Sequence, residues 1–329
     1  MRSPVATPLP DAALDALIHR LAPVMPEPEI LANWPVLEQI LSMKAEQDAE
    51  IVAHNYQVPL ITAGVADFVG DSLAMARFAA TSRASTIVVC GVHFMAETVK
   101  LLCPDKRVLL PNLNARCSLA DSINADYVRA LRIAYPDLPV VAYVNTSAEV
   151  KAESDICCTS ANAVEVARRL GVPRIIMVPD RHLAGYVARK TGIEVVNSGG
   201  ECEVHAKFSG AQIAEFRRER HATVLAHPEC SEDVQQRADF VGSTSAMIQY
   251  LRKRRPRQVL LLTECSMADN ISIDLPDIEF LRPCNLCSYM KSITPFGVAR
   301  SLQDGCNQIE IAPEIAGRAR RAVRRMLDV

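Results

Sequence analysis

The sequence predicts an α/β protein made of three copies of one unit, each a parallel sheet covered by helices. Three observations point there. Short, wholly apolar runs bounded by loop residues suit the buried strands of a parallel sheet. Helical patterns lie between those runs, which is the alternation of a layered α/β/α unit. The same order of features recurs three times along 329 residues, the signature of an internal repeat.

The first series passes through Ile51-Val52-Ala53-His54, Asp67-Phe68-Val69-Gly70-Asp71-Ser72, Ile87-Val88-Val89-Cys90 and Val108-Leu109-Leu110, and closes at Cys117. The second has Val140-Val141-Ala142-Tyr143-Val144-Asn145, Asp155-Ile156-Cys157-Cys158-Thr159-Ser160, Ile175-Ile176-Met177-Val178 and Val195-Val196, and closes at Cys202. The third has Val224-Leu225-Ala226-His227, Asp239-Phe240-Val241-Gly242-Ser243-Thr244, Val259-Leu260-Leu261-Leu262 and Ile278-Glu279-Phe280-Leu281, and closes at Cys284 and Cys287. Helices are expected at Leu73 to Ala80, Ala163 to Leu170 and Ala246 to Leu251. Cys117 and Cys202 are 85 residues apart, and so are Cys202 and Cys287. The division expected is an N-terminal extension and first helix at 1–44, then units at 45–121, 122–206 and 207–295. The C-terminal helices, 296–329, are assigned to the first unit.

Composition narrows the class of function. With 49% hydrophobic and 22% charged residues, the chain has the make-up of an ordinary globular protein. A net charge of −2 creates no field that would draw it to nucleic acid or an anionic membrane. The basic run Arg252-Lys253-Arg254-Arg255 precedes Pro256 and reads as the last turn of a helix, where cations are favoured. No apolar stretch reaches the ~18–20 residues a bilayer requires. Met1 to Pro8 holds no apolar signal core, so a cytoplasmic protein is expected. In that compartment the 11 cysteines are not expected to form disulfides. Cys90, Cys157 and Cys158 read as small buried hydrophobes.

Each unit offers polar groups at strand ends, where ligands of open α/β sheets bind. His54 and Tyr56, Tyr143 and Asn145, and His227 and Glu229 follow the first strands. Ser72, Ser160, and Ser243 with Thr244 follow the second, directly before a helical pattern. There they would serve as N-caps or as part of an anion site. If the units share an axis, these ends converge on one cavity.

The cysteines add a second signal. A structural zinc site takes four ligands, commonly in two pairs. Here Cys284-x-x-Cys287 is the single pair, while Cys117 and Cys202 stand alone. The pair by itself is compatible with zinc or with redox chemistry. One thiolate from each unit, by contrast, suits a 4Fe–4S cluster whose fourth iron stays open as a Lewis acid. The 85-residue spacing favours Cys287 over Cys284 as the third ligand.

Several segments resemble the quinolinate synthase family: Ala53-His54-Asn55-Tyr56-Gln57, Val69-Gly70-Asp71-Ser72-Leu73, Gly91-Val92-His93-Phe94-Met95-Ala96-Glu97 and Tyr143-Val144-Asn145-Thr146-Ser147. Further matches are Cys158-Thr159-Ser160-Ala161-Asn162-Ala163, Pro179-Asp180-Arg181-His182-Leu183, Cys202-Glu203-Val204-His205, His227-Pro228-Glu229-Cys230, Gly242-Ser243-Thr244-Ser245 and Cys287-Ser288-Tyr289-Met290-Lys291. The resemblance implies three α/β/α domains in a pseudo-threefold triangle around a 4Fe–4S cluster. It implies a reaction that joins iminoaspartate to dihydroxyacetone phosphate, with loss of phosphate and water, and a functional link to L-aspartate oxidase. Carried over by position, it assigns the cluster to Cys117, Cys202 and Cys287. Iminoaspartate then falls to His54, Ser72, Tyr143, Asn145, Ser160, His227, Glu229 and Thr244, with Ser243 beside them. Some members carry C-x-x-C-x-x-C at the last ligand; Leu281 stands first here, which leaves Cys284 alone for a redox role in that segment.

Proton transfer near neutral pH suits histidine and carboxylate, so His54 and Glu229 are the acid–base candidates. Tyr56 and Tyr143 are candidate donors to developing oxyanions, and each of the four reads equally well as an orienting hydrogen-bond partner. An open-iron dehydratase acting on a small hydroxy acid would use the same three thiolates. A binding or redox module would need no convergent acid–base groups.

Overall fold

A computed structural model describes residues 11–281 and 283–329. The expectations for residues 1–10 lie outside the described residues.

The apolar runs form short strands. These are β1 Ala49–His54, β2 Phe68–Gly70, β3 Thr86–Cys90, β4 Arg107–Leu109, β5 Val140–Tyr143 and β6 Ile156–Cys158, then β7 Arg174–Val178, β8 Glu194–Asn197, β9 Thr223–Ala226, β10 Phe240–Val241, β11 Gln258–Leu262 and β12 Glu279–Leu281. They build three four-stranded sheets in the orders β2-β1-β3-β4, β6-β5-β7-β8 and β10-β9-β11-β12. Every pairing is parallel. The fold is the repeated, helix-flanked α/β class read from the sequence. Strands β3 and β5 are buried at every residue, as expected when helices cover both faces.

The repeat extends to single contacts. In each unit the aspartate before the second strand accepts a backbone N–H of the first: Asp67 from Ile51 at 2.7 Å, Asp155 from Val140 at 2.7 Å and Asp239 from Val224 at 2.8 Å. A cation from the preceding helix meets each carboxylate: Lys44 at 2.7 Å, Arg132 at 2.8 Å and Arg217 at 2.8 Å. Gly70 and Gly242 also correspond. A Cβ at either would come within 2.9 or 3.1 Å of the Ala74 or Ala246 side chain, so glycine lets the strand end meet the next helix. Phe68 and Phe240, two residues earlier, stack on Phe78 and Tyr250.

Helix starts depart from expectation in two units. Ser243 caps Thr244–Arg254 by accepting the Ala246 N–H. Before Ser72–Thr81, however, the cap is Asp71, which accepts from Ala74 at 2.9 Å. A carboxylate is a stronger acceptor than a hydroxyl and suits the positive helix end. In the second unit Asn162 accepts the Thr159 N–H at 2.8 Å, and the resulting turn delays the helix to Ala163–Leu170. Ser160 is left in that turn. The basic run closes Thr244–Arg254 as expected, with Arg255 left-handed at φ 44° before Pro256.

Two late segments tie the units together. Pro295–Asp304 packs on Glu27–Glu46, while Pro313–Leu327 packs on Ala148–Ala152 and β6 as well as on His93–Leu102. Cys265 and Cys284 form a disulfide with Cα atoms 5.1 Å apart, which corrects the expectation that no cysteine would pair. The parallel bridge between Glu264 and Asn285 brings the loops after β11 and β12 side by side, so that Cys265 meets Cys284, 19 residues later in sequence. The other cysteines are free, and Cys90, Cys157 and Cys158 are buried as expected.

Candidate active site

In a strand order of 2-1-3-4, the winding reverses between the first and third strands, and a crevice opens at their carboxyl ends. The three crevices face one cavity. It is lined by His54 and Tyr56 beyond β1, Tyr143 at the end of β5 with Asn145, and His227 and Glu229 beyond β9. Ser72, Ser160 and Thr244 join from the second strands of the three sheets, and Cys117, Cys202 and Cys287 from the loops that close each unit. Ser243 does not line the cavity. Its hydroxyl donates to Asp71 Oδ2 at 3.2 Å, a contact between the third unit and the first.

Glu229 is the centre of a buried hydrogen-bond line. One carboxylate oxygen accepts from the Tyr143 hydroxyl at 2.6 Å, and the other lies 2.8 Å from His205 Nδ1. His205 Nε2 is 2.9 Å from Thr263 Oγ1, which in turn is 2.5 Å from the Tyr56 hydroxyl. The line from Tyr56 through Thr263, His205 and Glu229 to Tyr143 therefore crosses all three units. Proton shifts along it need only small displacements, since every link is a hydrogen bond.

The repeat also fixes two histidine tautomers. The Tyr56 N–H donates to His54 Nδ1 at 3.3 Å, and the Glu229 N–H donates to His227 Nδ1 at 3.4 Å. In each, the ring proton is then carried by Nε2. For His227 that atom is 3.2 Å from Ser160 Oγ. Burial lowers His54 to about 4 and His227 to about 3, so both are neutral donors at neutral pH. Burial opposes ionisation of Glu229, but His227, His205 and the Tyr143 hydroxyl outweigh it and hold the carboxyl below its usual range. Burial, reinforced by the Glu229 charge, raises the Tyr56 and Tyr143 phenols, which remain protonated. The result is an ionised Glu229 beside protonated tyrosines and neutral histidines, with Asp71, Glu203, Glu264 and Arg116 also on the cavity wall.

The three cavity cysteines fit an iron–sulfur cluster. They are free, they share one cavity with the apolar Val92, Phe94, Met95 and Met290, and Cys117 is close enough to Cys202 and Cys287 for their charges to interact. Soft thiolate donors of this kind select iron–sulfur clusters, zinc or copper(I). Burial pushes the Cys117 thiol up to about 12 and raises Cys202 and Cys287, so binding of a cation must displace protons. Cys284 does not line the cavity, being held in its disulfide.

Some site residues escaped the sequence reading. Thr263 and Glu264 lie just past β11, at the carboxyl end of the third unit's third strand, one step beyond the apolar run Val259 to Leu262. Glu264 is fully buried and pairs at 3.1 Å with Lys291, which also donates to the Tyr56 carbonyl at 2.6 Å. His205 stands three residues after Cys202, a Cys-x-x-His spacing that was the available signal.

The chain is similar to known proteins over most of its length. The family model described as "NadA: Quinolinate synthetase A protein" matches residues 38–328. "Quinolinate synthase 2" of Mesorhizobium japonicum is 54% identical over 303 residues, covering 90% of this chain and 93% of the relative. "Quinolinate synthase" of Agrobacterium fabrum is 52% identical over 315 residues, covering 95% and 91%. "Quinolinate synthase" of Xylella fastidiosa is 52% identical over 295 residues, covering 89% and 87%.

Proposed function

We propose that this chain, which belongs to the quinolinate synthetase A family, joins iminoaspartate to dihydroxyacetone phosphate and releases quinolinate, phosphate and two waters. The two substrates supply every ring atom, and the equation balances without an oxidant. We class the enzyme as a transferase of the cytoplasm that draws its unstable imine from L-aspartate oxidase. The observation that carries the reading is the convergence of three free cysteines with the ionised Glu229, two neutral histidines and two protonated tyrosines on one cavity.

Cys117, Cys202 and Cys287 would hold a 4Fe–4S cluster, which when bound supplies an open Lewis-acid iron to a substrate oxygen or nitrogen. Glu229 takes the proton from carbon, its carboxylate oriented by Tyr143 and His205. His54 and His227 direct Nε2–H groups at the substrate carboxylates, with Ser72, Asn145, Ser160 and Thr244 as further partners. Ser243 positions Thr244 through the helix cap and its bond to Asp71. Tyr56 and Tyr143 stay protonated; Tyr56 donates to a developing oxyanion, and Tyr143 can do so once Glu229 has taken the carbon proton and releases the hydroxyl.

Anaerobic purification followed by iron, sulfide and quinolinate assays tests the reading. About four irons per chain, with quinolinate formed from freshly generated iminoaspartate and the triose phosphate, is the expected result. A chain with a full cluster that forms no quinolinate would overturn it.

A further inference from the structure

We infer that the cluster-free chain carries a mononuclear divalent-metal site, of the zinc class, formed by Cys202, His205 and Glu229. Their ligand atoms lie within 4.8 Å of one another. Cys202 Sγ is 3.3 Å from His205 Nδ1, which is 2.8 Å from Glu229 Oε2. Both spans are shorter than the roughly 3.3–3.6 Å edges of a tetrahedron with metal–ligand bonds near 2.0–2.3 Å, by no more than about 0.5 Å, so small side-chain shifts would admit the ion. One thiolate, one imidazole and one carboxylate are a donor set that zinc accepts, and three protein ligands leave the fourth position to water.

The surroundings are those of a metal site. A ligating histidine needs its other ring nitrogen bonded so that the tautomer is fixed. Thr263 Oγ1, 2.9 Å from His205 Nε2, provides that partner. The second Glu229 oxygen is anchored by the Tyr143 hydroxyl at 2.6 Å. His205 and Glu229 are buried and the fourth position faces the cavity. Binding releases the Cys202 proton, shifts the His205 proton from Nδ1 to Nε2, where Thr263 Oγ1 accepts it, and leaves the ion as a neutral assembly: two positive charges against one thiolate and one carboxylate.

The consequence for the enzyme rests on the function proposed above. Cys202 cannot serve a single cation and a cluster together, and Glu229 cannot be both metal ligand and base. An ion at this site would hold the chain inactive and compete with cluster assembly.

Cobalt(II), a coloured stand-in for zinc, tests the site in the anaerobic, cluster-free, full-length chain. The expected result is one cobalt per chain with thiolate charge-transfer absorption and the intense visible bands of four-coordination. His205→Ala and Glu229→Gln should each weaken binding at least ~10-fold. Thr263→Val nearly conserves volume and touches no metal, and should weaken binding by about 10-fold. The Cys117→Ser/Cys287→Ser double variant should bind as the wild type does. Loss of cobalt in that double variant would assign the ion to the three thiolates instead. Unchanged affinity in Thr263→Val, together with unchanged affinity in His205→Ala, would equally overturn the site. Because the readout is metal binding and not turnover, failure of the quinolinate assay leaves this result separately legible.

Discussion

Tyr143, at the end of β5 in the second sheet, donates a hydrogen bond from its hydroxyl to Glu229, beyond β9 in the third, across 2.6 Å. Neither residue is placed by its own unit alone, so the base is oriented only when the units are assembled. Replacing Tyr143 by Phe keeps the ring and removes that bond. We expect turnover to fall by about 10²–10³-fold, while the cluster spectrum and thermal midpoint change little. Turnover within a factor of two of wild type would take the hydroxyl out of the reaction.

Cys284 and Cys287 separate cleanly. Cys287 faces the cavity and is free, whereas Cys284 is bonded to Cys265. Cys287→Ser is expected to lose iron, sulfide and turnover, since a hydroxyl is a poor iron ligand. Cys284→Ser should keep about four irons per chain and substantial activity. The opposite pattern in an iron assay would assign the ligand to the wrong cysteine.

Acid should destabilise the cluster-free chain earlier than its carboxylates alone require. Burial lowers His54 to about 4, against about 6.5 when unfolded. Below the unfolded value the unfolded chain therefore binds a proton that the folded chain refuses, and stability falls as pH drops from about 6.5 toward 4. The loss from this group is on the order of 3 kcal/mol at the end of that window. Urea unfolding at intervals from pH 8 to 5 measures it. His227, lowered to about 3, adds to the same slope, so His54→Asn should reduce the slope below pH 6.5 without abolishing it, and an unaltered slope would show that His54 contributes nothing.

Lys151 is fully buried, and burial lowers its affinity for a proton while Glu97 opposes that shift. Its amine donates to the Thr146 carbonyl, and Glu97 accepts the Ala148 N–H at 3.1 Å. Together they fasten the segment after Tyr143 to the first unit's helix His93–Leu102. Lys151→Met strands the Glu97 charge and should cost about 3–5 kcal/mol in denaturant unfolding. The Glu97→Gln/Lys151→Met pair should recover part of that loss. Additive losses in the double variant would argue that the two side chains act independently.

Much of this was legible in the chain itself. Wholly apolar runs of four or five residues, such as Ile87 to Cys90, dictate buried parallel strands because strand burial is a local property. The 85-residue spacing of Cys117, Cys202 and Cys287 exposed the repeat, and strand-end polar residues such as His54 and Tyr143 marked the faces that meet at the cavity. Other features belong to the tertiary structure. Asp71, which caps in place of Ser72, is also held by the Ser243 hydroxyl of the third unit. Thr263 reaches Tyr56 across 207 residues of sequence, and Cys265 finds Cys284 only because β11 and β12 lie side by side. Periodicity reports which face a residue occupies on its own element. Which residue of another unit stands opposite is set by how the units pack, and no local pattern encodes that distance.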